Sequence, residues 1–186
     1  MKNKLALYIL RLSMTLLIIT AVVAAALAGV NAVTAPVIAQ IKAEKIQAAI
    51  EEVLPGATGM EEVSFTDVTG VVQKVYVAGS DSAVQGYVAE VAPAGFGGGI
   101  TMMVGVQNGA VSGISVVSHA ETAGLGSVAA EANSKGEAFR SQFVGTSGVL
   151  AVDKDGGQVD SITSATITSR AVTAGVNAAL AVTILD

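Results

Sequence analysis

"ITMMVGVQNGAVSGISVVSH", residues 100–119, decides the fold. Two apolar, β-branched runs flank Asn108-Gly109, and that dipeptide is a strong hairpin signal because both residues tolerate the positive φ of a tight two-residue turn. An antiparallel strand pair over 100–107 and 110–119 is therefore expected. Upstream, "QGYVAEV" (85–91) and "VQKVYVA" (72–78) have the same short β-branched character, set off by the turn-rich segments "PAGFGGG" and "AGSDS". Four such runs in sequence read as a meandering antiparallel sheet. Downstream, "VAAEANSKGEAFRSQF" (128–143) reads as helical, "GVLAVD" (148–153) as one more strand, and 165–185 as a final apolar helix. Strands followed by helix, strand and helix define an α+β class, an antiparallel sheet with packed helices.

The N-terminal third is different. Between Arg11 and Lys42 no residue is charged, and "LSMTLLIITAVVAAALAGV" is long enough to cross a bilayer as a helix. One transmembrane span is expected over residues 12 to about 32. Lys2, Lys4 and Arg11 precede it and the charges after it are mixed in sign, so the N-terminus is expected in the cytoplasm and the rest of the chain on the outer face. Small residues in "AALAG" and "VNAVTA" would also suit cleavage of a signal peptide, but the apolar run exceeds the ~7–15-residue core of such signals, which favours an anchor in the cell membrane. After Pro36, "VIAQIKAEKIQAAIEEVLPG" places apolar residues at helical spacing up to Pro55-Gly56. The expected organisation is a cytoplasmic N-terminus and span over 1–35, a stalk helix over 36–56 and an outer domain over 57–186.

Composition removes several functions. The 186 residues contain no cysteine and a single histidine, so thiolate zinc sites, iron–sulfur clusters, cysteine nucleophiles and histidine-cluster metal sites are excluded. A net charge of −5 offers no basic stripe for nucleic acid.

The densest local signal is "DSITSATITS", residues 160–169, in which six of ten side chains carry a hydroxyl. Read from the residues alone, Thr163, Ser164 or Thr166 could cap the helix that follows. A helix N-terminus ringed with hydroxyls is equally a phosphate site. Both readings are compatible with the string.

This string resembles the flavinylation motif of the FMN-binding domain found in the G subunit of the Rnf ferredoxin:NAD oxidoreductase and in the C subunit of the sodium-pumping NADH:quinone oxidoreductase. The family core is Ser/Thr-Gly-Ala-Thr, and its last threonine carries FMN through a phosphoester. Aligned on Thr163-Ser164-Ala165-Thr166, the resemblance implies Thr166 as acceptor, with Ser164 in the slot the family gives to glycine. "SHAETAGLG" (118–126) is similar to the family's His-x-Glu-Thr-Pro-Gly-Leu-Gly segment, with Ala123 in place of proline, and "GFGGG" (95–99) resembles its glycine-rich turn.

The resemblance implies a covalently bound FMN whose phosphate lies at the start of the last helix, with Thr163, Ser164, Thr168 and Ser169 as supporting hydroxyls beside Ala165. It places Glu121, Thr122, Gly124 and Leu125 around the ring, Leu125 packing on its face and Thr122 donating to it. The implied function is that of an electron-carrying component of a membrane complex coupling ferredoxin oxidation and NAD reduction to sodium or proton translocation. Partners would be the other Rnf subunits and a flavin transferase, and no acid–base pair is called for. The short chain fits the Rnf G subunit better than its longer counterpart in the quinone reductase, which remains an alternative. A membrane-anchored binding or assembly module without redox chemistry is the other.

Overall fold

A computed structural model describes residues 2–80, 82 and 85–185, so Asp81 of the expected "AGSDS" turn lies outside the described residues. Nothing is described of the side chains of Lys2 and Lys4. The chain divides into two compact units, the first ending at Glu44 and the second beginning at Lys45.

The 52-residue helix α1, Lys2–Val53, supplies the described residues of the first unit and continues into the second. Pro36, expected to punctuate the chain, lies inside it. Within Leu7–Val53 it is long and apolar enough to cross a membrane. Its threonines behave as hydroxyls do where water is scarce, returning to the helix's own carbonyls: Thr15 to Arg11, Thr20 to Leu16 and Leu17, and Thr34 to Val30, at 2.9–3.0 Å.

The second unit contains a five-stranded antiparallel sheet ordered β1-β3-β4-β5-β6. Its strands are β1 (Glu61–Val63), β3 (Val72–Val77), β4 (Tyr87–Val91), β5 (Thr101–Gln107) and β6 (Ala110–Ser118). The expected hairpin is present: Gln107 pairs with Ala110 across Asn108 and Gly109, whose φ values of 53° and 76° are those of the mirror-image turn that matches strand twist. Two further strands, β2 (Phe65–Thr66) and β7 (Thr183–Ile184), form a separate antiparallel pair.

Helices cover both faces of the large sheet, which explains why β5 reads as a continuous apolar run. On one face, α2 (Ser134–Ser141) and α3 (Thr166–Leu180) bury Phe139, Val172 and Val176 with Val91, Met102 and Val104. Phe139 meets Phe143 edge-on, ring centres 5.5 Å apart. On the other face, Ala49, Ile50 and Val53 from the last turns of α1 join Val88, Met103 and Val117. The stalk expected over 36–56 thus ends inside the folded domain rather than before it. Gly105, opposite Gly113 in the β5–β6 ladder, allows the approach, because a Cβ on Gly105 would run into the Val53 carbonyl. Ser112 fixes the contact by donating to that carbonyl at 2.5 Å.

Three expectations for the C-terminal half are corrected. The helix over 128–143 is split into a 3₁₀ turn, Gly126–Ala130, and α2, because Asn133 leaves the helical region and caps α2 by accepting from Lys135 N and Gly136 N. "GVLAVD" is not a strand: the Asn177 amide takes both the N–H and the carbonyl of Leu150 at 2.8 Å, leaving only an isolated parallel bridge between Val152 and Val159. The final helix ends at Leu180, and Thr183–Ile184 pairs with Phe65–Thr66 instead of extending it.

Candidate functional site

The hydroxyl-rich segment approaches α3 as a loop whose backbone is tied down at consecutive amides. Asp160 N donates to Gln142 Oε1 at 2.7 Å, Ser161 N to Asp153 Oδ1 at 3.1 Å and Ile162 N to Ser169 Oγ at 2.9 Å. Gln142 returns a bond from its amide to the Asp160 carbonyl, so the side chain acts as a short piece of strand. Hydrogen bonds from Ser161 and Lys154 hold the Asp153 carboxyl well below the usual carboxylate range. Arg170 grips Asp155 through Nε and Nη2 at 2.7 and 2.6 Å and lowers that carboxyl too.

After Ile162 the chain turns sharply, with Ala165 N donating to the Ile162 carbonyl at 2.9 Å. Ser164 takes φ 64°, the left-handed region that an L-residue enters only at a cost. Ala165 is the N-cap of α3 and no side chain caps the helix. The capping reading of Thr163, Ser164 and Thr166 is therefore not realised. Since the first turn of a helix has no intrahelical acceptor for its N–H groups, those of α3 are available to a ligand.

Thr166 is the first residue of α3, half-buried at a cleft of about 350 Å³. The cleft is lined by Phe96, Glu121, Thr122, Leu125 and Gly126 on one side and by residues 164–168 on the other. A neighbouring cleft of about 650 Å³ shares Leu125 and Ser164 and includes Gly124 and Thr163. Of the residues singled out in the sequence, Glu121, Thr122, Leu125, Ser164, Ala165, Thr166 and Thr168 therefore converge on one cleft, while Gly124 and Thr163 line the adjoining one.

Ser169 lines neither. Its hydroxyl is buried, donates to the Ala165 carbonyl at 3.1 Å and accepts from Ile162 N, so it holds the loop. Thr168 is likewise buried and donates to Glu121 Oε2 at 2.5 Å. Glu121 Oε1 accepts from Gly97 N at 2.9 Å, and its own N–H meets His119 Nδ1 at 3.2 Å. Its carboxylate thereby joins the glycine-rich loop to the first turn of α3, and Gly126 makes room for it, since a Cβ there would strike both Glu121 and Thr168. Phe96, Gly126 and Ile167 line the cleft without having been singled out. The signal for Phe96 was present in "GFGGG", an aromatic ring isolated among glycines.

The site is thus an uncapped helix start at a hydroxyl-lined cleft beside an antiparallel sheet clasped by helices, a geometry in which a phosphate-bearing cofactor can be held. The family model of the FMN-binding domain matches residues 95–181, which contain every residue of the cleft. The chain is 32% identical to the G subunit of the Na(+)-translocating ferredoxin:NAD(+) oxidoreductase complex of Acetobacterium woodii, over 94% of this chain and 91% of that one. It is 33% identical to the G subunit of the ion-translocating oxidoreductase complex of Methanosarcina acetivorans, over 92% and 93%. The G subunit of a proton-translocating ferredoxin:NAD(+) oxidoreductase complex of Clostridium ljungdahlii is 36% identical, over 83% and 80%. The chain belongs to the G-subunit family of ion-translocating oxidoreductase complexes.

Proposed function

We propose that this chain is the electron-carrying component of a membrane complex that couples electron transfer from ferredoxin to NAD with the movement of sodium ions or protons, and that FMN is esterified through its phosphate to Thr166. Family membership and the FMN-binding domain support the first part. The observation that carries the second is the place of Thr166: a hydroxyl at the first position of an uncapped helix, on the wall of the cleft.

The residues fit the cofactor. Bound FMN would supply one- and two-electron redox chemistry. Thr166 Oγ1 would become the ester oxygen, and the N–H groups of the first turn of α3 would face the phosphate, where the helix dipole favours negative charge. Ser164 and Thr163 carry exposed hydroxyls at the approach to the helix. Thr122 and Leu125 stand across the cleft, a polar and an apolar group for the ring. Glu121, Thr168 and Ser169 act below them, keeping loop and helix start in register.

In this reading the apolar part of α1, over residues 12 to about 32, anchors the chain once in the cell membrane, with the N-terminus in the cytoplasm and the domain outside. A covalent tether suits that location, because a site filled by equilibrium alone is occupied only in proportion to free ligand. The partners would be the other subunits of the complex and a flavin transferase. Coexpression of the full chain with such a transferase tests the assignment. Thr166→Ala should lose flavin fluorescence on a denaturing gel while remaining folded, and Thr163→Ala should only lower the yield. A Thr166→Ala protein that stays covalently fluorescent would overturn it. Protease added to spheroplasts should digest the domain, and protection would reverse the orientation.

A further inference from the structure

We propose that Phe96 is the ring-facing residue of the cleft, a wall that covers the flavin, and that Glu121 is the positioning residue that holds it there. This rests on Thr166 as the point of attachment.

Phe96 lies on the same cleft as Thr166, Thr122, Leu125 and Ile167. It is 70% exposed, and Leu125 and Ile167 are 41% and 49% exposed. Three apolar side chains on the rim of one small cleft, with hydroxyls at its helix end, form a site that a flat aromatic ligand carrying a polar tail would complete.

The loop bearing Phe96 is held in place despite its glycines. Ala94 bridges to Gly99, Gly95 N donates to the Gly98 carbonyl at 2.7 Å, and Gly97 N donates to Glu121 Oε1. The other Glu121 oxygen is held by Thr168, two residues beyond the proposed ester. One carboxylate thus sets the aromatic wall relative to the helix that carries the attachment point.

The adjoining cleft lacks an equivalent. Its aromatic residue, Phe139, is buried in the core against Phe143, and its Gln142 is already bonded to Asp160. Among the described residues that line it, no exposed aromatic ring is available for stacking.

The test uses the full-length flavinylated protein and reads fluorescence before and after denaturation. Indole quenches flavin emission at van der Waals contact, so Phe96→Trp should lower native emission several-fold relative to the parent and recover it on denaturation. Val68→Trp, at an exposed position on neither cleft, should leave it unchanged. Phe96→Ala should make the native flavin more accessible to iodide and shift its midpoint potential, with Phe96→Tyr restoring both. Glu121→Ala should follow Phe96→Ala in direction, and Glu121→Gln, which retains an acceptor for Gly97, should do so less. Native emission of Phe96→Trp equal to that of Val68→Trp, or strong quenching by Lys135→Trp from the adjoining cleft instead, would overturn the proposal. The denaturing gel reports the tether separately, so absence of covalent flavin in the parent defeats the Thr166 assignment rather than this one.

Discussion

Thr168 donates its hydroxyl hydrogen to Glu121 across 47 positions of sequence, at 2.5 Å and out of reach of solvent. The bond joins the segment after the sheet to the first turn of the last helix, and through Gly97 it also fixes the glycine-rich loop. Sequence resemblance puts Glu121 beside the ring. In the folded chain both of its oxygens are turned toward protein groups, which makes it the joint of the site.

Removing that joint should show first in stability. In Glu121→Ala the buried Thr168 hydroxyl loses its acceptor and Gly97 N–H must turn to water, a change of about 1–3 kcal/mol. Glu121→Gln should lose much less, since its carbonyl can still accept from Gly97 and the Thr168 hydroxyl can rotate to accept from the amide. Thermal unfolding of the two variants in detergent measures the difference, and equal losses would show that charge rather than hydrogen bonding matters here.

Ser164→Gly should stabilise the protein and leave flavinylation intact. The left-handed conformation costs an L-residue ~1–2 kcal/mol, and the larger freedom of unfolded glycine offsets ~0.5–1 of that, so the net gain lies between about 0 and 1.5 kcal/mol, centred near ~0.75. Ser164→Val should go the other way, because a β-branched side chain at φ 64° is strained. Denaturant titration gives the stabilities and gel fluorescence the flavin yield.

Gly105→Ala places a methyl group against the Val53 carbonyl, in the notch where the end of α1 meets the sheet. Overpacking of this kind costs about 1–3 kcal/mol. The loss should appear as a lower unfolding midpoint with flavin attachment unchanged, because the notch lies on the sheet face opposite α3.

Acid should weaken the folded domain through three aspartates whose carboxyls sit below the ordinary 3.8: Asp153 through Ser161 and Lys154, Asp155 through Arg170, and Asp67, where bonds from Thr69, Val71 and Val72 outweigh its partial burial. A depressed folded-state value contributes stability that is complete above the unfolded value and is lost as pH falls through the folded one. The unfolding midpoint should therefore hold from neutrality to about pH 5 and decline below about pH 4. Asp153→Asn should flatten that decline and loosen the Ser161 segment. An unchanged acid profile in this variant would remove Asp153 from the set.

Much of this was legible because local chemistry fixed it. Asn108-Gly109 admits little other than a hairpin, and the uncharged stretch after Arg11 admits little other than a long apolar helix. The left-handed Ser164 was foreshadowed by the glycine the family keeps in that slot. What the sequence hid depends on distant partners. Phe65–Thr66 becomes a strand only by meeting Thr183–Ile184, and residues 148–153 fail to become one because Asn177 occupies the Leu150 backbone. Likewise, Ser169 reads as one more hydroxyl of the cluster, and only its bonds to Ile162 and Ala165 reveal a structural brace.

The most direct measurement is peptide mass mapping of the full chain after coexpression with a flavin transferase. Trypsin cutting after Lys154 and Arg170 releases residues 155–170 as one peptide that carries all six hydroxyl side chains of the cluster. The expected result is a mass increase of one FMN less one water, localised by fragmentation to Thr166. An increase localised to Thr163, Ser164, Thr168 or Ser169, or a peptide that remains unmodified, would contradict the assignment of Thr166 as the flavin-bearing residue.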